Sequence, residues 1–167
     1  MGIYRNRIRY LAKSIKFMYI FPLFVARLMK RGLKLKAYFL AKCALGFAKF
    51  HSQNTHLNVS SVLIFESAVK NLLPTVDICK RVVSGSVLFL PCPLKPNKNI
   101  KLALTWLISS AVKSHSVRYC YALALGNSIY DTYMFLGFAL ESRSLHYRLV
   151  RKNRFYLQKS TIRILIA

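Results

Sequence analysis

The side chains of this chain best placed to do chemistry are its cations, and they come in clusters. Arg5, Arg7, Arg9, Lys13 and Lys16 crowd the first stretch, followed by Lys30, Arg31, Lys34 and Lys36, and later by Lys80 with Arg81. Lys95, Lys98 and Lys101 recur three apart, Lys113 and Arg118 bracket a serine-containing break, and Arg143, Arg148, Arg151, Lys152 and Arg154 close the series. Such side chains capture anions. Each one that meets a phosphate releases condensed counterions, so affinity is assembled from many contacts and falls steeply with salt. Arg148, Arg151, Lys152 and Arg154 are too many for one narrow helical face, so some are expected on a nucleic acid and others on protein.

The charge balance strengthens this reading. Lys and Arg number 27 against four acids, Glu66, Asp77, Asp131 and Glu141, for a net charge of +23 in 167 residues. Excess charge of one sign opposes compaction, and a soluble surface normally intersperses both signs. Hydrophobic residues make up 54 %, and the mean hydropathy is +0.32. A polyanionic partner and protein neighbours that cover apolar surface are therefore expected, in an assembly rather than a homo-oligomer.

Catalysis has no visible apparatus. The four acids stand far apart, and there is neither a G-x-S-x-G turn nor a phosphate-cradling glycine loop. His51, His56, His115 and His146 are isolated, and Cys43, Cys79, Cys92 and Cys120 form no C-x-x-C pair, so no metal, cofactor or disulfide framework is expected. All four cysteines read as reduced and structural. The chain reads as a non-enzyme.

The elements that must position the cations follow from periodicity. Residues 1–21 read as a basic arm, although the same composition suits a mitochondrial presequence. Pro22 suits a first helical turn that leads to Arg31 and closes at Gly32. Lys34 to Phe50 shows Ala37, Leu40, Ala41, Ala44 and Ala48 at helical spacing. Ser61 to Leu73 reads as a third helix, capped from Asn58 or Ser60 and stopped by Pro74. A β-hairpin at about 76–92 follows, with its loop at Ser84-Gly85. That loop sets Cys79 opposite Leu90 and Cys92 opposite Asp77. Pro91, Pro93 and Pro96 are expected to end the ladder. Further helices are expected over Asn97–Lys113, with Trp106 on its packed face, over Val117 to about Leu136, and over Glu141–Gln158. The helical domain spans 22–158, and 159–167 is a tail. The fold class is mainly α, a bundle of about six helices with the hairpin projecting between the third and fourth.

One stretch is more specific. Pro74-Thr75-Val76-Asp77-Ile78, Arg81, Val83, Gly85-Ser86, Leu90-Pro91, Lys95-Pro96 and Leu102-Ala103-x-x-Trp106 stand in order. This pattern resembles the core signature of the universal ribosomal protein seven family of the small subunit. Weaker likeness extends from Pro22 to Phe155, through Leu28-Met29, Phe65-Glu66, Ser116, Ala122, Leu125, His146 and Asn153-Arg154-Phe155. The resemblance implies binding to the head domain of small-subunit ribosomal RNA, nucleation of head assembly beside other head proteins, and a hairpin near exit-site transfer RNA and the messenger path.

Several positions depart from the family pattern. Leu33 replaces a lysine at the first corner, Val82 an arginine, Ser84 a glycine, Leu88-Phe89 polar residues, and Thr105 the arginine before the tryptophan. Apolar replacements on the hairpin imply a protein neighbour there. This drift, with abundant Phe, Tyr, Ile, Lys and Asn, leads to the expectation of an organelle ribosome in the mitochondrial matrix. Two rival classes stand beside this one. A small basic membrane protein would use Tyr119–Leu140, yet Asn127 and Asp131 interrupt that run and an ionised Asp near the bilayer centre costs about 2.5–3.5 kcal/mol. A free, non-ribosomal RNA-binding protein is the other. The preferred reading has no membrane association.

Overall fold

The computed structural model describes residues 16–55, 59–83, 86–113 and 120–155. Among them are six helices and one antiparallel hairpin: α1 (Phe17–Leu28), α2 (Lys34–Asn54), α3 (Ser61–Leu72), β1 (Val76–Val83), β2 (Ser86–Pro93), α4 (Pro96–Lys113), α5 (Tyr121–Tyr133) and α6 (Phe138–Lys152). The mainly α class and the place of the hairpin between the third and fourth helices are as the sequence led one to expect. Arg5, Arg7, Arg9, Lys13, Arg118, the hairpin loop Ser84-Gly85 and the 159–167 tail lie outside the described residues.

Helix α1 begins at Phe17, so Pro22 lies inside the helix rather than in its first turn. The hydrogen bond that Pro22 cannot make would go to Met18, on the solvent side, where Met18 is 86 % exposed. The opposite face buries Ile20, Phe24, Val25 and Leu28. The ring of Phe24 meets Phe65 of α3 at 5.1 Å between centroids. An acid from α3 completes the start of α1: the Phe17 amide donates to Glu66 Oε1 at 2.7 Å. A carboxylate on an otherwise unpartnered first-turn N–H, at the positive end of the helix dipole, stabilises the helix. Glu66→Ala should therefore cost about 1 kcal/mol, as removal of an N-terminal cap does, and a thermal melt at fixed salt measures it.

Helix α2 carries a stripe of small residues, with Ala37, Ala41, Ala44 and Ala48 all buried. That stripe lets α5 approach closely. At Gly126 of α5 a Cβ would lie 2.7 Å from Phe47 Cβ and 2.9 Å from the Ala44 carbonyl oxygen. Ile64, Phe65, Ala68, Val69 and Leu72 from α3, Ile100, Ala103, Leu104 and Leu107 from α4, and Leu125 and Ile129 from α5 fill most of the rest of the core. Trp106, expected on the packed face, is only half-buried and sits against His146 of α6 at 5.3 Å.

The hairpin register sets Cys79 opposite Leu90 and Cys92 opposite Asp77. The two thiols are diagonal neighbours on one face; their hydrogen bond, followed by burial, pushes the Cys79 thiol up. The prolines do not end the ladder. Pro91 pairs with Ile78 and Pro93 with Val76. With Val83 and Ser86 closing a two-residue loop, positions 86, 88, 90 and 92 are hydrogen-bonded pairs. Residues 91 and 93 then point their backbone nitrogen away from β1, where a missing N–H costs nothing to the pairing.

The long apolar helix expected over Val117–Leu136 ends at Tyr133. Leu136 N–H reaches the Asp131 carbonyl at 2.7 Å, and Phe135 N–H reaches that of Thr132 at 3.3 Å. This is the paired bond pattern of a Schellman stop, with Phe135 in the left-handed position at φ 60°. Gly137, at φ 89°, turns the chain into α6 at Phe138, ahead of the expected Glu141. A Cβ on Gly137 would meet Asp131 Cβ at 3.2 Å, so the glycine is needed both for space and for its backbone angle. Helix α6 ends at Lys152, which leaves Arg154 in the following turn. Among the described residues, no helix is long and apolar enough to cross a membrane.

Candidate nucleic-acid interface

The hairpin root is held from two sides. From α4, Lys98 Nζ lies 2.9 Å from Asp77 Oδ2. From α6, His146 Nε2 lies 3.0 Å from the Val76 carbonyl oxygen and 3.8 Å from Asp77 Oδ1. Tyr147 extends the clamp, its hydroxyl accepting from the Thr75 amide at 3.1 Å. Burial pushes the Asp77 carboxyl up, but the Lys98 hydrogen bond, the Ile78 amide and the nearby positive charges outweigh it and hold the group below its usual range. A carboxyl that ionises more readily folded than unfolded contributes its full stability above the unfolded value, near 3.9. That contribution disappears as pH falls through the folded value. Hydrogen exchange at Ile78 and Leu90 amides should therefore accelerate below about pH 4 relative to the α2 core, and Asp77→Asn should abolish that pH step.

Most of the described cations of the sequence clusters are solvent-facing. Lys30, Arg31, Lys34 and Lys36 are exposed at the α1–α2 corner, as are Lys16 at the start of α1 and Lys113 at the end of α4. Lys80 and Arg81, adjacent on β1, are exposed on opposite faces of the hairpin, and Lys80 lies over the Phe89 ring at 5.7 Å. Lys95, Lys98 and Lys101 line the start of α4, while Arg148, Arg151, Lys152 and Arg154 are exposed along and just beyond α6.

Lys98, Arg143 and Arg27 are partly committed to protein. Lys98 clamps Asp77 although its side chain remains 63 % exposed. Arg143 is half-buried, donates to the Asn71 carbonyl oxygen and lies 5.6 Å from the Tyr147 ring centre. Arg27, absent from the clusters read in the sequence, donates to Thr105 Oγ1 at 2.9 Å. Thr105, directly before Trp106, thus ties α1 to α4.

Two concave surfaces adjoin α6. One, of about 400 Å³, is lined by Leu140, Arg143, Ser144, Tyr147, Arg148 and Arg151. The other, of about 480 Å³, runs between the hairpin root and α6. Val76, Pro91, Cys92 and Pro93 form one wall, and Tyr147, Val150, Arg151 and Arg154 form the other. Charge clustering in the sequence pointed to the arginines here, but not to Tyr147, whose role depends on the packing of α6 on β1. Among the described residues no group of three or more His, Cys, Asp or Glu side chains is arranged to hold a metal ion.

The family model for ribosomal protein S7p/S5e matches residues 4–154, which covers every described element. The chain belongs to the ribosomal protein S7p/S5e family. Among relatives of this family, the small ribosomal subunit protein uS7c of Nephroselmis olivacea is 27 % identical over 132 residues, covering 79 % of this chain and 80 % of that protein. The small ribosomal subunit protein uS7 of Wolbachia pipientis (subsp. Culex pipiens, strain wPip) is 28 % identical over 138 residues, covering 80 % and 82 %. That of Gloeothece citriformis (strain PCC 7424) is 34 % identical over 93 residues, covering 56 % and 58 %. In S7p/S5e terms, the hairpin root and α6 described above lie within the matched region.

Proposed function

We propose that this chain is a structural constituent of the small ribosomal subunit that binds ribosomal RNA. The observation that carries this reading is the family match over residues 4–154 on a chain of net charge +23, most of whose clustered cations among the described residues face solvent. The mechanism is counterion release from phosphates, with fixed helix ends and a stiff hairpin holding the cations in register on folded RNA. Exposed apolar side chains support protein neighbours as well. Leu35, Phe39, Val82 and Phe135 are each more than 60 % exposed, a surplus that an isolated protein of this charge does not need.

Within that role the RNA is that of the head domain, and early binding nucleates head assembly. The hairpin lies near the exit-site transfer RNA and messenger path, with Val82, Val87 and Phe89 directed to a protein neighbour. The compartment is the mitochondrial matrix, in keeping with the drifted, aromatic- and lysine-rich composition. Hydroxyl-radical footprinting of the chain on small-subunit ribosomal RNA tests the reading. Protections confined to the head domain are expected; protections elsewhere, or none, would contradict it.

A further inference from the structure

We propose that the groove between the hairpin root and α6 takes an unpaired RNA nucleotide, its base stacked on Tyr147 and its phosphate held by Arg151 and Arg154. The inference rests on the RNA-binding role above and adds a site where single-stranded RNA is distinguished from duplex.

Four observations converge on it. The groove holds about 480 Å³, and no acid lines it, although Asp77 lies one residue beyond Val76. That carboxylate is already occupied by Lys98 at 2.9 Å, so the local field at the groove is set by arginine. Apolar side chains, Val76, Pro91, Pro93 and Val150, form much of the walls, which is the lining a base plane needs and a phosphate backbone does not. Tyr147 is fixed before any ligand arrives: its hydroxyl is bonded to the Thr75 amide at 3.1 Å and Arg143 lies 5.6 Å from its ring centre. A held aromatic ring beside free guanidinium groups is the combination by which proteins bind splayed-out bases, through stacking on one partner and charge on the other. A paired helix cannot reach the ring, because its bases are stacked inside.

The test uses the full chain with a fluorescein-labelled 12-nucleotide RNA of mixed sequence, single-stranded or annealed to its complement, in 0.15 M salt. Tyr147→Leu should weaken single-strand binding about fivefold or more, the loss expected for one stacked base, while duplex affinity stays within about twofold. Tyr147→Phe keeps the ring and removes only the Thr75 bond, so it should bind single strands like the parent. Arg151→Gln with Arg154→Gln should weaken both RNAs. A 2-aminopurine in the single strand should lose fluorescence on binding the parent and recover it with Tyr147→Leu.

Equal losses on both RNAs would overturn the inference, because Tyr147 would then act only by holding the fold. No loss on either would overturn it too and leave the groove to a protein segment. If the parent chain binds neither RNA, the ribosomal reading itself fails; if it binds both without any Tyr147 dependence, only the nucleotide site does.

Discussion

Gly126→Ala should destabilise the fold by about 1–3 kcal/mol, even though alanine is the better helix former by about 0.5–1 kcal/mol. The added methyl would sit 2.7 Å from Phe47 Cβ, 2.9 Å from the Ala44 carbonyl oxygen and 3.3 Å from the Ala48 nitrogen. Two of these three atoms are backbone of α2, which cannot rotate away as a side-chain end could. Relief would require α2 and α5 to separate, opening the buried stripe of Ala41, Ala44 and Ala48. Gly46, on the open side of α2, is the control: nothing lies within 4 Å of a Cβ there. Gly46→Ala should raise the melting temperature while Gly126→Ala lowers it by several degrees. Equal shifts would mean that α2 and α5 are not closely packed.

The second large effect concerns RNA. Lys95→Gln, Lys101→Gln and Arg148→Gln combined should reduce the log–log salt slope of RNA affinity by about 2–3, at roughly 0.7–0.9 for each phosphate left without its cation. At 0.1 M salt, three phosphates left bare in this way correspond to an affinity drop on the order of a hundredfold. Lys98 stays in place because it holds Asp77 at 2.9 Å, and removing it would confound a weaker grip on RNA with loosening of the hairpin root. Measured affinities at several salt concentrations decide the matter. An unchanged slope would assign these cations to solvent.

Much of this architecture was legible in the residue order. The Ser84-Gly85 loop fixed the hairpin register, and with it the offset between Cys79 and Cys92. The alanine spacing of α2 marked its buried face. Where the expectation failed, the deciding interaction was long-range or a matter of parity. Pro91 and Pro93 looked like ladder breakers because proline lacks a donor, but both fall on the strand positions whose donor points outward. Helix α5 stops at Tyr133 although the apolar run continues, because Phe135, a bulky residue, takes a left-handed conformation that no local propensity favours. The sequence signal present was Gly137, two residues later.

The binding surface divides in the same way. Cation clusters are readable because they need only composition, and the structure leaves most of them exposed. Which cations are already engaged is not readable: Lys98 meets an acid 21 positions away, and Arg143 meets a backbone carbonyl 72 positions away. Tyr147 is readable as an aromatic among the arginines of the last helix, but its bond to the hairpin root depends on α6 packing on β1. Aromatic residues in helices are usually core, and this one serves both the hairpin root and the groove.

The most direct test of the central claim is sedimentation of the tagged chain, from a lysate of its native cells, through a sucrose gradient at moderate salt. The chain should migrate with the small ribosomal subunit and leave it only when high salt screens the phosphate contacts. A chain that stays at the top of the gradient, soluble and free of ribosomal RNA, would contradict the claim.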